Sequence, residues 1–401
     1  MKPTNASREI PVRADLDAFA DDHAYLRSCR EQAPVVRAPS GVPIVLHFRN
    51  IEKMVDPRTT RQLETEGLAF QGVTSGPLYD VVQRSMLFSN GQVHRNRRGG
   101  LSRTFAFKLM EGYREDVRAL ADRLVAGHVG HGPMDFLEDI AGEIPARIIA
   151  KLLGVPEDDI PQFRKWVYAA VRGIGFHGPE ERPEIEKGAR ALQAYVDALL
   201  DGPASERSFI TRYVQDNREE GSLTEEEIRG QIITLIIAGS DTTRLALCSA
   251  MHHLLRHEDQ WRTFCEAPEE LKKPVVQETM RYDPSVASFP RVTLEELEID
   301  GYVIDAGSFV GVSTMSAMRD PEAYADPDHF DIHRTDHPKW HPVFGAGAHR
   351  CLGEALARVE LEEVLASLAT LAPNSAPAGQ PPKISGLAAV RSIDQMALEL
   401  R

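Results

Sequence analysis

From Leu223 onward apolar residues recur on almost every side of the chain: Ile228, Ile232, Ile233, Leu235, Ile236, Ile237, Leu245, Leu247 and Leu254, with no proline among them. Thr224 followed three residues later by Glu227 fits a capping box, and Leu223 with Ile228 fits a hydrophobic staple, so the spacing predicts a helix that starts at Thr224. About 30 residues at 1.5 Å each span about 45 Å, enough to cross a globular protein. Apolar residues all round make it a buried helix. Its middle carries a polar break, Gly239-Ser240-Asp241-Thr242-Thr243.

The same reading places a helix at Pro274, taken as its first turn, that runs through Arg281 and stops before Asp283-Pro284. Short alternating stretches follow. Glu298 to Ile304 and Ser308 to Val312 read as hairpin strands around Asp300-Gly301 and Asp305-Ala306-Gly307. Near the carboxyl end Leu361, Val364, Leu365, Leu368 and Leu371 repeat at helical spacing, and residues 111–130, 137–153, 158–173 and 183–201 also read as helices. The expected fold is mainly α with small β-sheets. No Gly/Ser-rich or charged linker divides the chain, so residues 1–401 are expected to form a single domain.

Composition narrows the function. Hydrophobic residues make up 42% and charged residues 26%, which fits a globular protein able to bury a cofactor-sized pocket. With 60 acidic against 46 basic residues the formal charge is -14, and nucleic acid is not an expected partner. The first residues lack the apolar core of a signal peptide, and no uninterrupted apolar run of about 18 residues occurs, so neither export nor a membrane anchor is expected. Cys29, Cys248, Cys265 and Cys351 show no paired spacing, which fits a reducing, cytoplasmic compartment.

One of those cysteines ends a glycine-rich loop, Phe344-Gly345-Ala346-Gly347-Ala348-His349-Arg350-Cys351-Leu352-Gly353, ahead of an expected helix beginning at Cys351. Glycines let backbone approach a flat group closely, and the positive end of a helix favours thiolate over thiol. A thiolate ligand on haem iron favours O–O cleavage, so a lone cysteine in this setting points to oxygen activation. A free buried cysteine beside a turn is the plain alternative. A chance match at all six fixed positions, however, is on the order of 10⁻⁸ per start. A phosphate-cradling loop is excluded because Trp340-His341-Pro342-Val343 is no buried strand.

The segment resembles the cysteine-ligand loop of the cytochrome P450 family of haem-thiolate monooxygenases. The resemblance implies haem b held between a long central helix and the cysteine-ligand helix, with Cys351 as iron ligand and Phe344, His349 and Gly353 in the cofactor loop. It extends from about His94 to the carboxyl end. Ala238 to Thr243 resembles the family's A-G-x-D-T oxygen groove, which implies that Thr242 steadies dioxygen and Asp241 relays protons. Taken alone, Thr242 could bond to the carbonyl four residues back and Asp241 could pair with an arginine. Glu278-x-x-Arg281 resembles the family's E-x-x-R pair, with Arg334 as third, structural member. His94 and Arg98 resemble an H-x-x-x-R propionate pair, and Arg291 resembles a third propionate cation. Three features depart from the pattern: Asn90-Gly91-Gln92-Val93 before His94, Gly99-Gly100 after Arg98, expected to weaken that helix, and Met318 where asparagine is common.

What the resemblance implies is a monomeric enzyme that hydroxylates a small or medium hydrophobic substrate with O2. Electrons would come from a separate ferredoxin and ferredoxin reductase. The alternatives are a haem-binding sensor or carrier, and a peroxide-driven enzyme, against which Asp241-Thr242 speaks. A pocket is expected from Phe70, Leu78, Tyr79, Ile237, Ala238, Ala287, Phe289 and Val390, with Gly173 to Pro179 as a lid. Arg95, Arg97, Arg103, Lys108 and Arg350 are expected to form a basic docking face for the ferredoxin.

Overall fold

Thr224 and Glu227 cap each other in the computed structural model: the Glu227 N–H donates to Thr224 Oγ1 at 3.2 Å and the Thr224 N–H to Glu227 Oε2 at 3.1 Å. The helix they open runs Glu225–Arg256, 32 residues, as the capping box and apolar pattern predict. The structure describes residues 8–13, 16, 19, 21–105, 107–175, 177–201 and 209–401.

The helices in chain order are α1 (Asp22–Gln32), α2 (Ile51–Val55), α3 (Glu66–Phe70), α4 (Pro77–Arg84), α5 (Gly91–Thr104), α6 (Phe107–Glu111), α7 (Arg114–His128) and α8 (Glu143–Leu153). Then come α9 (Ile160–Arg172), α10 (Arg182–Asp201), α11 (Phe209–Glu220), α12 (Glu225–Arg256), α13 (Glu258–Glu266), α14 (Pro268–Tyr282), α15 (Thr314–Ala317) and α16 (Glu354–Leu371). The chain is mainly helical with small sheets, as expected. Pro274 does not open α14 but lies inside it; Pro268 takes the first-turn place, where a missing N–H costs nothing. The carbonyl that Pro274 leaves without a donor belongs to Glu270, which is exposed to solvent.

Two compact units divide the residues. Unit 1 comprises Met1–Gln62, Lys273–Cys351 and Lys383–Asp394. It holds a five-stranded sheet from β1 (Val35–Arg37), β2 (Pro43–Val45), β3 (Thr60–Gln62), β5 (Ser288–Thr293) and β8 (Phe309–Ser313), in the order β1-β2-β8-β5-β3. Its core gathers Tyr25, Val35, Val45, Ile51, Met54, Val310 and Val312. A hairpin of β6 (Leu297–Ile299) and β7 (Tyr302–Ile304) turns at Asp300 and Gly301, with φ of 51° and 89°. That is the geometry an Asp-Gly turn serves. Asp305-Ala306-Gly307, by contrast, closes no hairpin. The turn folds back on Thr293, whose hydroxyl donates to Asp305 O at 2.7 Å and whose carbonyl accepts from Gly307 N at 2.8 Å. This sends β8 to pair with β5 and β2, where Val310 and Val312 are buried. A second small pair, β10 (Ile384–Ser385) and β11 (Ser392–Ile393), completes the unit.

Unit 2 comprises Leu63–Lys272, Leu352–Pro382 and Gln395–Arg401 and contains most of the helices, with α12 packed on α8, α9 and α16. Its sheet is β4 (Pro133–Asp135), β12 (Ala397–Glu399) and β9 (Ala376–Pro377), in the order β4-β12-β9. Among the described residues α12 is the one helix long and apolar enough to cross a membrane, but two-thirds of its apolar window is buried inside the protein.

Candidate functional site

The cysteine loop in unit 1 turns on two glycines. Gly345 and Gly347 have φ of 67° and 64°, where side chains are strained, and a Cβ on Gly347 would lie 3.2 Å from the Val55 carbonyl. The loop is closed by the Cys351 N–H, which donates to Phe344 O at 2.7 Å. Phe344 is buried, edge-on to His341 at 6.1 Å, and His349 ends a short turn, Gly347–His349, half-buried. Cys351 itself is exposed. The helix does not begin at Cys351 as expected. Its N–H is taken by Phe344, so α16 starts at Glu354 with Gly353 in the N-cap position.

Behind the loop in the same unit lies a buried charge cluster. Glu278 and Arg281, both 0% exposed on α14, form a two-pronged pair, Nε to Oε2 at 2.6 Å and Nη2 to Oε1 at 2.8 Å. Arg334 Nε reaches Glu278 Oε2 at 3.3 Å, so the structure brings all three members together. Arg281 also donates to the carbonyls of Met318 at 3.0 Å, Pro327 at 2.7 Å and His329 at 3.1 Å. Arg334 donates to the carbonyls of Ala325, Asp326 and His329. At position 318 the contact uses the backbone carbonyl, which any residue supplies.

Arg291, on β5, is 4% exposed. It donates to Thr60 Oγ1 at 3.0 Å, Gln62 Oε1 at 3.0 Å and the Thr60 carbonyl at 3.4 Å, all neutral, and no described carboxylate pairs with it. Burial alone lowers its pKa to about 10. A buried guanidinium without a counter-charge is costly unless an anion joins it.

In unit 2, His94 and Arg98 lie one turn apart on α5. His94 is buried, and burial, with Arg98 and Arg95 nearby, lowers its pKa to about 4, leaving a neutral ring that can donate one N–H. The departures here have local causes. Gly91, at φ 57°, follows Asn90 at the N-cap of α5, and the Asn90 amide donates to Glu64 at 2.9 Å. A Cβ on Gly100 would come 2.7 Å from Asn217 Nδ2, so that glycine lets α5 and α11 approach. The helix runs through Gly99-Gly100 without a break.

The polar break of α12 is the one place where this helix opens in its middle: residues 231–237 are buried without exception, whereas Ala238, Gly239, Asp241 and Thr242 are half-buried. Thr242 Oγ1 donates to the Ala238 carbonyl at 3.1 Å, and Asp241 pairs with Arg244 at 2.6 Å. Both plain alternatives are therefore populated, and the strip stays accessible in spite of them. Beside it stands a residue the sequence reading missed. Glu360 on α16 is 1% exposed, bonds Thr243, and leaves Oε1 without a protein partner; burial pushes its carboxyl up to about 8. Its neighbours Glu362 and Glu363 are also buried but meet Arg114 at 2.8 and 2.6 Å. Three glutamates inside an apolar stripe were the available signal.

The expected pocket residues fall in both units. Phe70, Leu78, Tyr79, Ile237 and Ala238 belong to unit 2; Ala287, Phe289 and Val390 belong to unit 1. Leu78 is a core residue, packed with Leu68, Val73, Val82 and Ile185, because Pro77 starts α4 with that side turned inward, and Phe70 is 71% exposed. Of the expected lid, Phe176 lies outside the described residues; its neighbours are tied to Gln71, which accepts from His177 N at 3.1 Å and donates to Gly175 O at 3.4 Å. The basic cluster needs correction. Arg97 is buried against Glu227 at 3.0 Å and Arg103 pairs with Glu220 at 2.6 Å, so neither offers an unpaired charge to a partner.

An iron porphyrin with two propionates would suit these residues: an exposed thiol on a loop whose glycines a Cβ would jam, and a buried arginine that lacks an anion. Comparisons with known proteins agree. The family model described as Cytochrome P450 matches residues 185–263 and 270–382. The chain is 37% identical over 95% of its length, and 90% of the relative's, to "Cytochrome P450-pinF1, plant-inducible" of Rhizobium radiobacter. It is 30% identical over 90% of its length to "Cytochrome P450 monooxygenase PikC" of Streptomyces venezuelae, covering 86% of that protein. Among solved structures it is similar to CalO2, with a TM-score of 0.87 and 25% identity over 96% of this chain and 98% of that one.

Proposed function

This chain belongs to the cytochrome P450 family and is an oxidoreductase of the monooxygenase type, and on that premise we propose that it hydroxylates a small or medium hydrophobic molecule with O2, using haem b and electrons from a ferredoxin and its reductase. The observation that carries the reading is the Cys351 loop, held by Gly345, Gly347 and the Phe344 carbonyl so that the thiol remains exposed. Bound through that thiolate, the haem supplies oxygen activation.

The protein's part is holding, orienting and proton control. Arg291, lacking an anion, and the neutral His94 with Arg98 are the donors for the propionates. Glu278, Arg281 and Arg334 are structural: the two arginines, paired with Glu278, donate to carbonyls of residues 318 to 329 and so stiffen the chain that leads into the loop. Thr242 Oγ1 passes a proton toward the open strip of α12 after releasing the Ala238 carbonyl, and Asp241 returns one to it from solvent. Glu360, protonated below about pH 8, holds a second proton beside Thr243. Of the basic cluster, Arg95 and Lys108 serve for docking the acidic donor, an attraction that salt weakens. We place the protein in the cytoplasm as a monomer of one functional domain spanning 1–401.

Reconstitution with iron protoporphyrin IX tests this. The reduced protein should give a thiolate-type carbon monoxide spectrum that Cys351→Ser abolishes, and Thr242→Ala should uncouple NADPH use from product. A spectrum unchanged in Cys351→Ser would overturn the assignment. Substrates are found by screening terpenoids, aromatics, fatty acids and polyketides for a spin-state shift.

A further inference from the structure

Asp241 is not held by Arg244 alone on one side, because Arg244 has a second carboxylate within reach. Its guanidinium meets Asp241 Oδ1 at 2.6 and 2.9 Å, and its Nη1 stands 3.4 Å from Glu138 Oε1. Glu138 lies in a π-helical turn, Leu137–Ala141, a wide turn that often marks a functional position. The surroundings hold this arrangement in place. Tyr168 lies under the guanidinium, 4.1 Å from ring centroid to the arginine carbon, and its hydroxyl donates to the Gly142 carbonyl at 2.8 Å. A Cβ on Gly142 would come 2.9 Å from the Leu137 carbonyl, so glycine there lets the wide turn that carries Glu138 close. Arg164 donates to the Glu138 carbonyl at 2.8 Å and stands 3.5 Å from Glu138 Oε2, which fixes the other end of the carboxylate.

We propose that Glu138 is a positioning residue for proton delivery, taking over Arg244 when Asp241 turns away to serve Thr242. The inference rests on the monooxygenase reading and deepens it. Arg244 holds Asp241 by Oδ1 alone, and carrying that carboxylate over to Thr242 breaks both contacts and would strand a cation that is only 17% exposed. With Glu138 already at 3.4 Å, the arginine exchanges one carboxylate for another and total charge at the site is unchanged. The proton that Asp241 carries comes from solvent water and goes to Thr242 Oγ1, which passes its own hydroxyl proton into the open strip of α12.

The test uses Glu138→Gln, which keeps shape and removes charge at a half-exposed position. Oxygen consumption by the haem-loaded chain is followed in H2O and D2O with a plant-type ferredoxin and its NADPH reductase. Loss of one charge-assisted contact should slow turnover about tenfold and raise the solvent isotope effect. Glu138→Asp should restore part of the rate. In an Arg244→Gln background the Glu138→Gln change should do nothing further, since Glu138 acts only through the arginine. Arg244→Lys, too short to span both acids, serves if Arg244→Gln does not fold. A readout free of turnover is denaturant unfolding of the four-variant cycle, in which Glu138 and Arg244 should be energetically coupled. A wild-type rate and isotope effect in Glu138→Gln, equal losses in both backgrounds, or additive unfolding energies would each overturn the proposal. Thr242→Ala that stays fully coupled would instead remove the proton-relay reading of Thr242 beneath it.

Discussion

Two buried groups of charges in this protein differ in how completely they are satisfied. Around Glu278 nearly every charge has an answer: Arg281 takes both carboxylate oxygens, Arg334 stands 3.3 Å from one of them and also meets Asp336, and the other guanidinium donors end on five backbone carbonyls, those of Met318, Pro327, His329, Ala325 and Asp326, leaving Arg334 Nε without a hydrogen bond. Around the middle of α12 the answers are partial. Thr242 borrows a carbonyl of its own helix, Arg244 is shared between two acids, and Glu360 keeps an oxygen without a partner. A more completely satisfied network favours one low-energy arrangement and acts as scaffold. An under-satisfied one has groups that can move or change protonation, which is what a proton path requires.

The sharpest way to break this contrast is to remove one member of the satisfied group. Glu278→Gln should cost about 3–5 kcal/mol, because Arg281 remains buried without a carboxylate while Arg334 keeps only Asp336. Denaturant unfolding measures it, and a loss below about 1 kcal/mol would mean the cluster is no scaffold.

Glu360 should behave in the opposite sense. Its folded-state pKa, near 8, lies above that of the unfolded chain, so between about pH 4.5 and 8 the unfolded state binds fewer protons than the folded one. Stability carried by this group is therefore full below pH 4.5 and falls as pH rises, by at most about 1.4 kcal/mol per unit, through that window. Glu360→Gln should flatten that slope and be the more stable form at pH 8; unfolding followed at several pH values decides it, and an unchanged slope refutes the buried acid.

A smaller version of the same distinction sits in α5. Gly100→Ala would press on Asn217 and should destabilise by roughly 1–3 kcal/mol, less the gain in helix propensity. Gly99→Ala meets nothing within 4 Å and should stabilise by up to about 1 kcal/mol. Paired thermal melts compare them directly; equal shifts would show that close approach to α11 is not what glycine serves there. Smallest and simplest is the cap of α12, where Thr224→Ala should cost about 1 kcal/mol by the same measurement.

Much of this was legible in the sequence because it depends on neighbours in the chain. The capping box named the start of α12, Asp300-Gly301 named its hairpin, and the spacing from Phe344 to Gly353 carried the family resemblance. Turn and cap chemistry is local, so a few adjacent residues determine it. Where the outcome depends on residues far apart, local signals mislead. Pro274 looks like a helix start until Pro268 is seen to provide one. Asp305-Ala306-Gly307 looks like a hairpin until Thr293 captures it. Arg97 looks like a surface charge until Glu227, 130 positions away, pairs with it.

The sequence by itself determined that this chain is helical, carries a glycine-rich cysteine loop that resembles a haem-thiolate loop, and places an acid and a hydroxyl together in a buried helix. Only the tertiary structure decided which charges are answered. It gave Arg291 neutral partners, divided Arg244 between Asp241 and Glu138, and buried Glu360 beside Thr243, which raises its pKa. The physical reason is that periodicity and turn propensity act over a few residues. Desolvation and pairing of a charge depend instead on every element that packs around it.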